Sequence, residues 1–473
     1  MKFLRTLCFA VLALAPLTLL SQSTPAGGVI TNNTTWSPAL GTILVYSNVI
    51  ISGGATLMIE AGTLVHLTNN VSISAAANSG IDVEGTSANP VLFTSMVGTN
   101  KWGNLSASGA SSFVTVRHAE VAYGGINFGS QATGLIEDTF IHDVYSAIVA
   151  NSAKFVTMRR NHVRNYSETI FNTGTVILAE DSLYENMTVP SSDGLEIQGG
   201  PPGSIVRRCT FRHSSGGNSD ALDFNGTSGV LVQDCLVYDF SDKAVSMGAS
   251  GAGGSPDNGM TISNCLFYQV DTGVAVKDGS TCGLYNLTIV DNTYGIREYQ
   301  KFTTPVDGGH ITNSYNNIIW GNRTNLFFLN NSSMVANHSD IQGTNYPGTG
   351  NLSAIPLFVN QPQQDYRLGP GSPATGAGLG GGDLGTHFPV GAPMALSHPR
   401  FESILRSGTN ASLSFWLDSE KTYSILASDS LTGGTWQKLT NYPTRLRPVL
   451  MTIADPLPGT GVRFYRIVTP QVP

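Results

Sequence analysis

Charged residues are scarce in this chain of 473 residues, at 12% of the total. Soluble proteins usually carry about 25%, so the shortage argues against long charged helices and coiled coils. A basic stripe is also missing, because 25 Lys and Arg stand against 32 Asp and Glu, and this balance disfavours nucleic-acid binding. The hydrophobic fraction of 41% is too high for a disordered chain.

Cysteines are few as well. One of the five, Cys8, lies in an apolar N-terminal run, which leaves Cys209, Cys235, Cys265 and Cys282. Four cysteines in so long a chain do not make a disulfide scaffold. The spacings C-x-x-C and H-E-x-x-H do not occur, so the sequence gives little support for a zinc site.

Long hydrophobic runs are limited to residues 7–20, which follow Lys2 and Arg5. This arrangement predicts a secretory signal peptide over residues 1–23, since the run is short for a membrane span. No later stretch approaches membrane length. We therefore expect an exported monomer without a membrane span, either secreted to the extracellular space or cell surface, or periplasmic.

Glycine is abundant, at 53 residues, and the middle of the chain repeats. One four-residue pattern recurs: a small residue, an aliphatic residue, any residue and an apolar residue. Its aliphatic residue stands at positions 126, 148, 170, 195, 222, 245, 274, 296 and 326, so successive copies are 22–30 residues apart. A second short segment follows in each unit, and both segments alternate with period two, as strands do. Repeats of this length without a helical period predict a parallel β-solenoid of roughly a dozen coils.

Equivalent residues of successive coils are expected to form columns. Small apolar thiols should stack inside as a free column, with one disulfide among them as the alternative: Cys209, Cys235 and Cys265. Side-chain amides should bond along the stack at a turn position: Asn264, Asn286 and Asn317. Trp320 is aligned with Phe267 and is predicted to lie in the core.

Particular stretches also resemble a known family. Three stretches resemble the opening coils of secreted bacterial right-handed parallel β-helix proteins of the pectate lyase-like superfamily. They are residues 35–37, 53–63 and 85–95, and Trp102-Gly103 follows the last of them. Residues 351–358 and 366–374 resemble their closing segment. The resemblance implies an all-β fold with a right-handed parallel β-helix over residues 28–374. It implies no single activity, because the superfamily holds lyases, hydrolases, epimerases and adhesins.

The rest of the chain predicts a separate module. Residues 375–396 are Gly-rich and are expected to be a linker. Residues 411–416, 422–426 and 462–467 alternate as strands, which predicts a small β-sandwich over residues 397–473. It resembles the C-terminal sandwich modules of many secreted bacterial proteins. Such a module binds glycan, binds the cell surface or caps the solenoid.

Acidic residues on two consecutive coils are the main candidate for chemistry. Outward side chains of aligned coils form a grid that includes Asp193, Glu196, Asp220 and Asp223. Like charges at about the 5 Å spacing of neighbouring strands raise one another's pKa or hold a cation, and calcium prefers such oxygen ligands. We expect calcium on three aspartates, Asp193, Asp220 and Asp223, and an acidic polysaccharide bound by Glu196, Asn225 and Tyr299.

Basic residues on the next coils are the catalytic candidates: Lys243, Lys277 and Arg297. In polysaccharide lyases, to which the resemblance extends, a cation neutralises the uronate carboxylate and a basic side chain takes the C5 proton. Lys243 or Lys277 is expected to be that base if its pKa is lowered. Insertions at residues 249–259 and 300–309 flank the coil of Lys277 and are expected to wall a groove.

Other interpretations stay open. Polygalacturonase-like hydrolases carry the motifs Asn-Thr-Asp, Asp-Asp and Gly-His-Gly in this order. Three segments of this chain follow the same order and resemble them in part: Ser192-Asp193-Gly194, Ser219-Asp220 and Asp242-Lys243-Ala244. Ser219 replaces one required acid and Lys243 replaces the His, which speaks against that mechanism. The chain is alternatively a non-catalytic surface or adhesion protein whose solenoid is a spacer. Asp before a small residue also caps turns, and outer charges are often only solvated.

Overall fold

The computed structural model describes residues 22–171, 174–304, 306–343, 346–392, 401–407, 410–417, 422–430, 435–443, 449–456 and 462–472. The predicted signal peptide lies outside the described residues, apart from its last two positions. The first of two units winds as a parallel β-solenoid of about 14 turns.

Short strands connected by tight turns form this solenoid. They are β1 (Ser23–Ile30), β2 (Thr34–Trp36), β3 (Thr42–Ile51), β4 (Thr56–Glu60), β5 (Leu64–Leu67), β6 (Ile73–Ala75), β7 (Gly80–Glu84), β8 (Val91–Ser95), β9 (Asn104–Ala107), β10 (Phe113–Arg117), β11 (Ala119–Ala122), β12 (Gly125–Phe128), β13 (Thr133–Glu137), β14 (Phe140–Ala150), β15 (Phe155–Arg159), β16 (His162–Phe171), β17 (Val176–Glu180), β18 (Leu183–Met187), β19 (Leu195–Gln198), β20 (Ile205–Arg207), β21 (Thr210–Ser214), β22 (Leu222–Asn225), β23 (Leu231–Gln233), β24 (Leu236–Gly248), β25 (Met260–Ser263), β26 (Leu266–Lys277), β27 (Thr281–Tyr285), β28 (Thr288–Val290), β29 (Tyr294–Tyr299), β30 (His310–Tyr315), β31 (Ile318–Trp320), β32 (Thr324–Phe328), β33 (Ser333–Met334) and β34 (Asp340–Ile341).

The remaining elements follow the solenoid. They are β35 (Phe358–Asn360), β36 (Asp365–Leu368), β37 (Phe401–Ser407), β38 (Asn410–Leu417), β39 (Tyr423–Ser428), β40 (Gln437–Tyr442), β41 (Val449–Pro456) and β42 (Phe464–Val468). Three single-turn 3-10 helices lie within the described residues, at Pro38–Leu40, Gln361–Gln363 and Leu379–Gly381.

Two parallel sheets close the solenoid. One has 13 strands, β2, β4, β7, β10, β13, β15, β17, β20, β23, β25, β27, β30 and β33, and the other has 21 and forms the remaining two faces. Long strands such as β24 and β26 bend across the corner between those two faces. Alternate residues point inward, as period-two strands require, and form one continuous apolar core from Trp36 to Ile341. The predicted solenoid is confirmed.

The interior columns follow from the register. Cys209, Cys235 and Cys265 are buried free thiols on successive coils, as expected. The N–H of Cys235 donates to Sγ of Cys265 at 3.3 Å, so the column also satisfies backbone donors.

Two predictions near the end of the solenoid are wrong by one residue. Asn317 is 1% exposed and its Oδ1 accepts the N–H of Leu287 at 2.8 Å, so it belongs to the inner column. Asn316 takes the turn position instead, with a left-handed φ of 60°. Trp320 pairs with Val290 rather than with Ile289 and contacts an apolar cluster outside the core. A shift of one residue moves a strand's side chains to the opposite face.

Residues 384–392, here called the return segment, run back along the outside of the solenoid. The N–H of Gly385 donates to the carbonyl oxygen of Asn316, and the N–H of Ala392 reaches Oγ1 of Thr210 at 2.9 Å. Phe388 covers outward apolar side chains, among them Leu236, Tyr238, Leu266 and Tyr268. The predicted linker therefore binds to the solenoid as far as it is described. The domain boundaries stay a prediction.

The C-terminal module consists of two antiparallel sheets, β37-β38-β41 and β40-β39-β42. Side chains from both sheets share one small core that includes Leu413, Phe415, Ile425 and Ile467. This is the arrangement of a β-sandwich. Among the described residues, no helix has both the length and the apolar character needed to span a membrane.

Glu298 is a buried acid inside the solenoid. It pairs with Val276 and Phe328 in an inward column and is 0% exposed. Neither carboxyl oxygen has a hydrogen-bond partner of ordinary geometry among the described residues. Burial raises the pKa of Glu298 from 4.5 to about 9, because an apolar surrounding disfavours the charged form. The side chain is therefore protonated at neutral pH.

The stability of Glu298→Gln relative to wild type should increase as pH rises. The native state keeps a proton that the unfolded chain loses above pH 4.5, so wild-type stability falls between pH 4.5 and about 9. The upper bound is about 1.4 kcal/mol per pH unit. Thermal unfolding from pH 5 to 9 measures this. The slope should flatten in Glu298→Gln and stay unchanged in the exposed control Glu60→Gln. An equal slope in Glu298→Gln and wild type would contradict the assignment.

Candidate functional site

Five carboxyl groups lie on one outer face of the solenoid, here called the carboxylate face: Glu168, Asp193, Glu196, Asp220 and Asp223. The strand register sets their order, because Glu196 pairs with Asp223 and Asp223 with Ser246. The same column continues through Ala275 to Arg297. Residues that are 22–29 positions apart in sequence are thereby brought to neighbouring strands, about 4.8 Å apart.

Three of these acids, the predicted calcium ligands Asp193, Asp220 and Asp223, converge. One carboxylate oxygen from each lies within 4.8 Å of the others. Asp193 Oδ1 accepts the N–H of Asp220 at 2.9 Å, and Asp220 Oδ1 accepts the N–H of Lys243 at 3.0 Å. Turn capping is thus one role of Asp193 and Asp220. Asp223 Oδ1 is buried and has no hydrogen-bond partner among the described residues.

Burial and crowding disfavour charge on two of these acids, Asp193 and Asp220. Burial, followed by the nearby charges of Asp223 and Asp220, raises the pKa of Asp193 to about 8. Burial raises the pKa of Asp220 to about 6, and the ammonium of Lys243 opposes that rise. Asp193 and Asp220 are therefore easier to protonate than a free aspartic acid, and a bound cation would relieve the same repulsion. The donor set of oxygens fits calcium.

Glu196 and Asn225 extend the site along the face. Glu196 is 6% exposed and accepts a hydrogen bond from Gln198 and one from Asn225 Nδ2 at 3.4 Å. Asn225 also donates to Asp223 Oδ2 at 2.6 Å, so its amide joins two acids on adjacent coils. Burial raises the pKa of Glu196 above 4.5.

Glu168 is a member that the sequence reasoning missed. Burial, followed by the nearby charge of Glu196, raises the pKa of Glu168 to about 7, so the two carboxyl groups are neighbours. The register shifts in this coil, since Ser146 pairs with Glu168 but Val149 pairs with Ile170. The coil is one residue short, which moves Glu168 out of the position that its neighbours predict. The poor fit of Thr169-Ile170 to the repeat is the signal that could have revealed this shift.

Lys243 lies at the edge of the trio and is 6% exposed. Its Nζ contacts Asp220 Oδ1 at 3.1 Å and also pairs with Asp242. Burial would lower the pKa of Lys243, but the two carboxylates outweigh burial and raise it above its usual value. The expected lowering is therefore not found, and the ammonium is suited to hold Asp220 in place rather than to accept a proton.

Lys277 lies under the two predicted loops and is 2% exposed. Its Nζ donates to Ser246 Oγ at 2.7 Å and lies beside Gly248, where a Cβ would come within 3.5 Å of it. The loops are residues 249–259, between β24 and β25, and 300–309, between β29 and β30. Their chains meet where the N–H of Gly253 donates to the carbonyl oxygen of Thr304 at 2.7 Å.

Two buried carboxylates tie these loops to the neighbouring coils. Asp257 accepts the N–H groups of Thr227 and Gly248 at 2.7 and 2.8 Å. Asp278 Oδ1 accepts the N–H groups of Lys301 and Phe302 at 2.6 and 2.9 Å. Lys277 supplies a positive charge near both of them, since it lowers the pKa of Asp257 and lies near Asp278 beside Gly248. In this closed arrangement its ammonium is shielded from solvent.

Arg297 presents the remaining cation, within an aromatic cage. Its guanidinium lies 4.8 Å from the ring centres of Tyr294 and Tyr299 and 5.6 Å from that of Phe327. Arg297 Nε has no hydrogen-bond partner among the described residues. The stacked guanidinium can therefore offer its edge to a carboxylate, and the tyrosine rings can contact a sugar.

A groove of about 520 Å³ opens on the same face towards the N-terminus. Uncharged side chains line it, including Ser106, Asn127, Val149 and Asn151. The groove therefore lies on the coils before the carboxylate face and not over the acids. The face has a neutral polar part and a charged part along the solenoid axis.

Comparisons with known proteins agree with this architecture. The family model described as a right-handed β-helix region matches residues 147–311 and 197–353. The model described as a pectate-lyase-like β-helix domain matches residues 28–138. A search of curated protein sequences found no significant match.

Two solved structures are similar over much of the chain. The crystal structure of the periplasmic alginate epimerase AlgG is 12% identical and covers 64% of this chain and 78% of its own, with a TM-score of 0.23. That of alginate lyase from Paenibacillus sp. str. FPU-7 is 15% identical and covers 59% and 93%, with a TM-score of 0.21. Scores this low add nothing to what the family models establish.

Lys277→Met should loosen the loops, because it leaves buried Asp257 and Asp278 without their cation. Hydrogen exchange should become about tenfold faster or more in residues 249–259 and 300–304. Lys277→Arg should restore part of the protection, and the exposed control Lys154→Met should leave it unchanged. Unaltered protection in Lys277→Met would show that the loops do not depend on this charge.

Proposed function

Because the chain belongs to the right-handed parallel β-helix proteins of the pectate-lyase-like type, we propose that it binds and cleaves an acidic polysaccharide. The observation that carries this proposal is the convergence of Asp193, Asp220 and Asp223 within 4.8 Å, on the same face as the caged Arg297. We further propose that the protein works as an exported monomer, outside the cell or in a periplasm.

Calcium is the proposed cofactor. Asp193, Asp220 and Asp223 would hold it, since hard cations take carboxylate oxygens and Asp223 Oδ1 has no other partner among the described residues. Bound there, it would neutralise a uronate carboxylate and so make the adjacent C5 proton more acidic. Lys243 keeps Asp220 oriented through their ion pair.

The substrate chain is proposed to lie along the solenoid axis. Arg297 binds a carboxylate with the edge of its guanidinium, while Tyr299 stacks on a sugar ring. Asn225 and Glu196 hold hydroxyl groups over the neighbouring coils. The uncharged groove at Asn127 would accept sugars beyond the acidic part of the chain.

The distances speak against an inverting hydrolysis. An inverting hydrolase separates its two carboxyl groups by roughly 6.5–9.5 Å to admit a water molecule. The trio is closer than that, at 4.8 Å or less between the nearest oxygens. With Lys243 held as an ammonium and Lys277 buried, neither lysine is proposed as the base. The proposed reaction is β-elimination assisted by calcium, because three converging carboxylates suit a cation that neutralises a uronate.

Activity on a panel of acidic and neutral polysaccharides tests the reaction. The mature protein should release unsaturated ends from an acidic substrate, and a chelator should abolish the signal because the trio would lose its cation. New reducing ends are measured in parallel. Reducing ends without unsaturation would contradict elimination. A folded protein that neither binds nor cleaves any substrate would overturn the proposed function and favour the adhesion alternative.

Calcium binding is tested separately by calorimetric titration of the protein with calcium chloride. Asp223→Asn should weaken binding by about tenfold or more, since a charged ligand is lost. The matched control is Asp239→Asn, because Asp239 is exposed and pairs with His213 elsewhere on the solenoid. Equal binding by Asp223→Asn and wild type would argue against the assigned ligands.

A further inference from the structure

Ser333, His310 and Asp307 form a hydrogen-bonded chain at the surface of the solenoid. His310 Nδ1 lies 2.9 Å from Ser333 Oγ, and His310 Nε2 lies 3.0 Å from Asp307 Oδ2. A serine, a histidine and an aspartate joined in this order activate a nucleophilic hydroxyl for acyl transfer. None of the three belongs to the carboxylate face.

The contacts of Asp307 show how the histidine is oriented. Asp307 Oδ1 accepts the N–H of Gly308 at 3.0 Å and Nδ2 of Asn331 at 3.1 Å, which leaves Oδ2 for the histidine. The hydrogen bond with His310 lowers the pKa of Asp307. Because an ionised carboxylate has no proton to donate, the neutral imidazole carries its proton on Nε2. Nδ1 is then the acceptor, and the hydroxyl of Ser333 donates to it.

Two stacked coils bring these side chains together. His310 begins β30 and pairs with Ser333, the first residue of β33. Asp307 lies three residues before His310, in the loop of residues 300–309. Asp307 and His310 are partly buried, whereas Ser333 is exposed. The hydroxyl of Ser333 can therefore be reached by an ester that a large molecule carries.

The strand that carries Ser333 also presents a backbone donor. β33 ends its sheet among the described residues. The N–H groups of Ser333 and Val335 donate to the preceding coil at 3.0 and 2.9 Å, so the N–H of Met334 between them points away from that coil. The N–H on the residue after the nucleophile is suited to bind the oxygen that becomes negative during acyl transfer.

We propose that Ser333 is the nucleophile of a second activity, the hydrolysis of a carboxylic ester, with His310 as its general base. Asp307 positions His310. This activity is separate from the proposed cleavage of the sugar chain. Only its substrate class rests on the proposed function: an acyl group esterified to a hydroxyl of the acidic polysaccharide. The loop that leads to His310 begins directly after β29, the strand of the caged Arg297, so the two sites are neighbours along the chain.

The reaction balances as two acyl transfers. Ser333 Oγ attacks the carbonyl carbon of the ester, and its proton passes to His310 Nδ1. The bond from that carbon to the sugar oxygen then breaks, and His310 gives the proton to the oxygen. Water next attacks the acyl group on Ser333 while His310 takes a proton from the water. The acid leaves as this proton returns to Ser333 Oγ. One water molecule is consumed for each ester.

Two substrates test the activity with the full chain: p-nitrophenyl acetate, and an acetylated acidic polysaccharide from which free acetate is measured. Wild type should hydrolyse both. Ser333→Ala should lower kcat/KM by about 10²-fold or more. Asp307→Asn should lower kcat by about tenfold or more with KM nearly unchanged, because the orientation of His310 is lost but the ester still binds.

Two matched controls should keep the wild-type rates. Ser215→Ala removes another exposed serine. His118→Ala removes a histidine that also lies beside a carboxylate, 3.9 Å from Asp138.

A fluorophosphonate probe tests the nucleophile without any substitution. Ser333 Oγ should displace fluoride from phosphorus, and peptide mass spectrometry should find the phosphonyl group on Ser333. His310→Gln should lose this labelling. No ester hydrolysis by wild type, or labelling and hydrolysis that persist in Ser333→Ala, would overturn the inference and leave the proposed function standing. Hydrolysis of p-nitrophenyl acetate that depends on Ser333, without cleavage of any polysaccharide, would support the esterase and overturn only the proposed cleavage.

Discussion

Parallel backbone hydrogen bonding between successive coils is the constraint on which the rest of this molecule depends. Each strand pairs with the strand one coil away, so residues 19–33 positions apart become neighbours at about 4.8 Å. Side chains at equivalent positions must then form columns. The cysteine column, the apolar core and the carboxylate face are products of this one repeated pairing.

Such columns place similar side chains next to one another. This raises the free energy little for apolar side chains but strongly for groups of like charge. In the interior, the polar side chains of Asn317 and Cys265 are hydrogen-bonded, because they accept backbone N–H groups from the previous coil. On the carboxylate face the repulsion is relieved in two ways. Lys243 supplies a cation, and backbone N–H groups bind Asp193 and Asp220. The crowding that remains raises the pKa of Asp193, and a bound cation would relieve it.

The loops beside this face concern Lys277, whose coil was predicted correctly but whose burial and contacts were not. The two insertions lie where the repeat spacing puts them. Lys277, however, is buried beside them and lies near Asp257 and Asp278, and no periodic pattern connects Asp257 to it. Burial of a lysine depends on the path of the loops, and loop residues follow no period. The sequence therefore indicated a cation on this coil but not its contacts.

Periodicity alone was sufficient to predict the solenoid, the inward cysteines and the outward acids on two consecutive coils, because period two and a repeat of 22–30 residues allow few other folds. Only the tertiary structure showed which side chains face inward or outward where the register shifts by a single residue at the corners of the coils. A coil that is one residue short brings Glu168 against Glu196, and a one-residue slip puts Trp320 outside the core and Asn317 within it. A strand's two faces differ by one position, and the length of a corner is set by the coils stacked on either side of it.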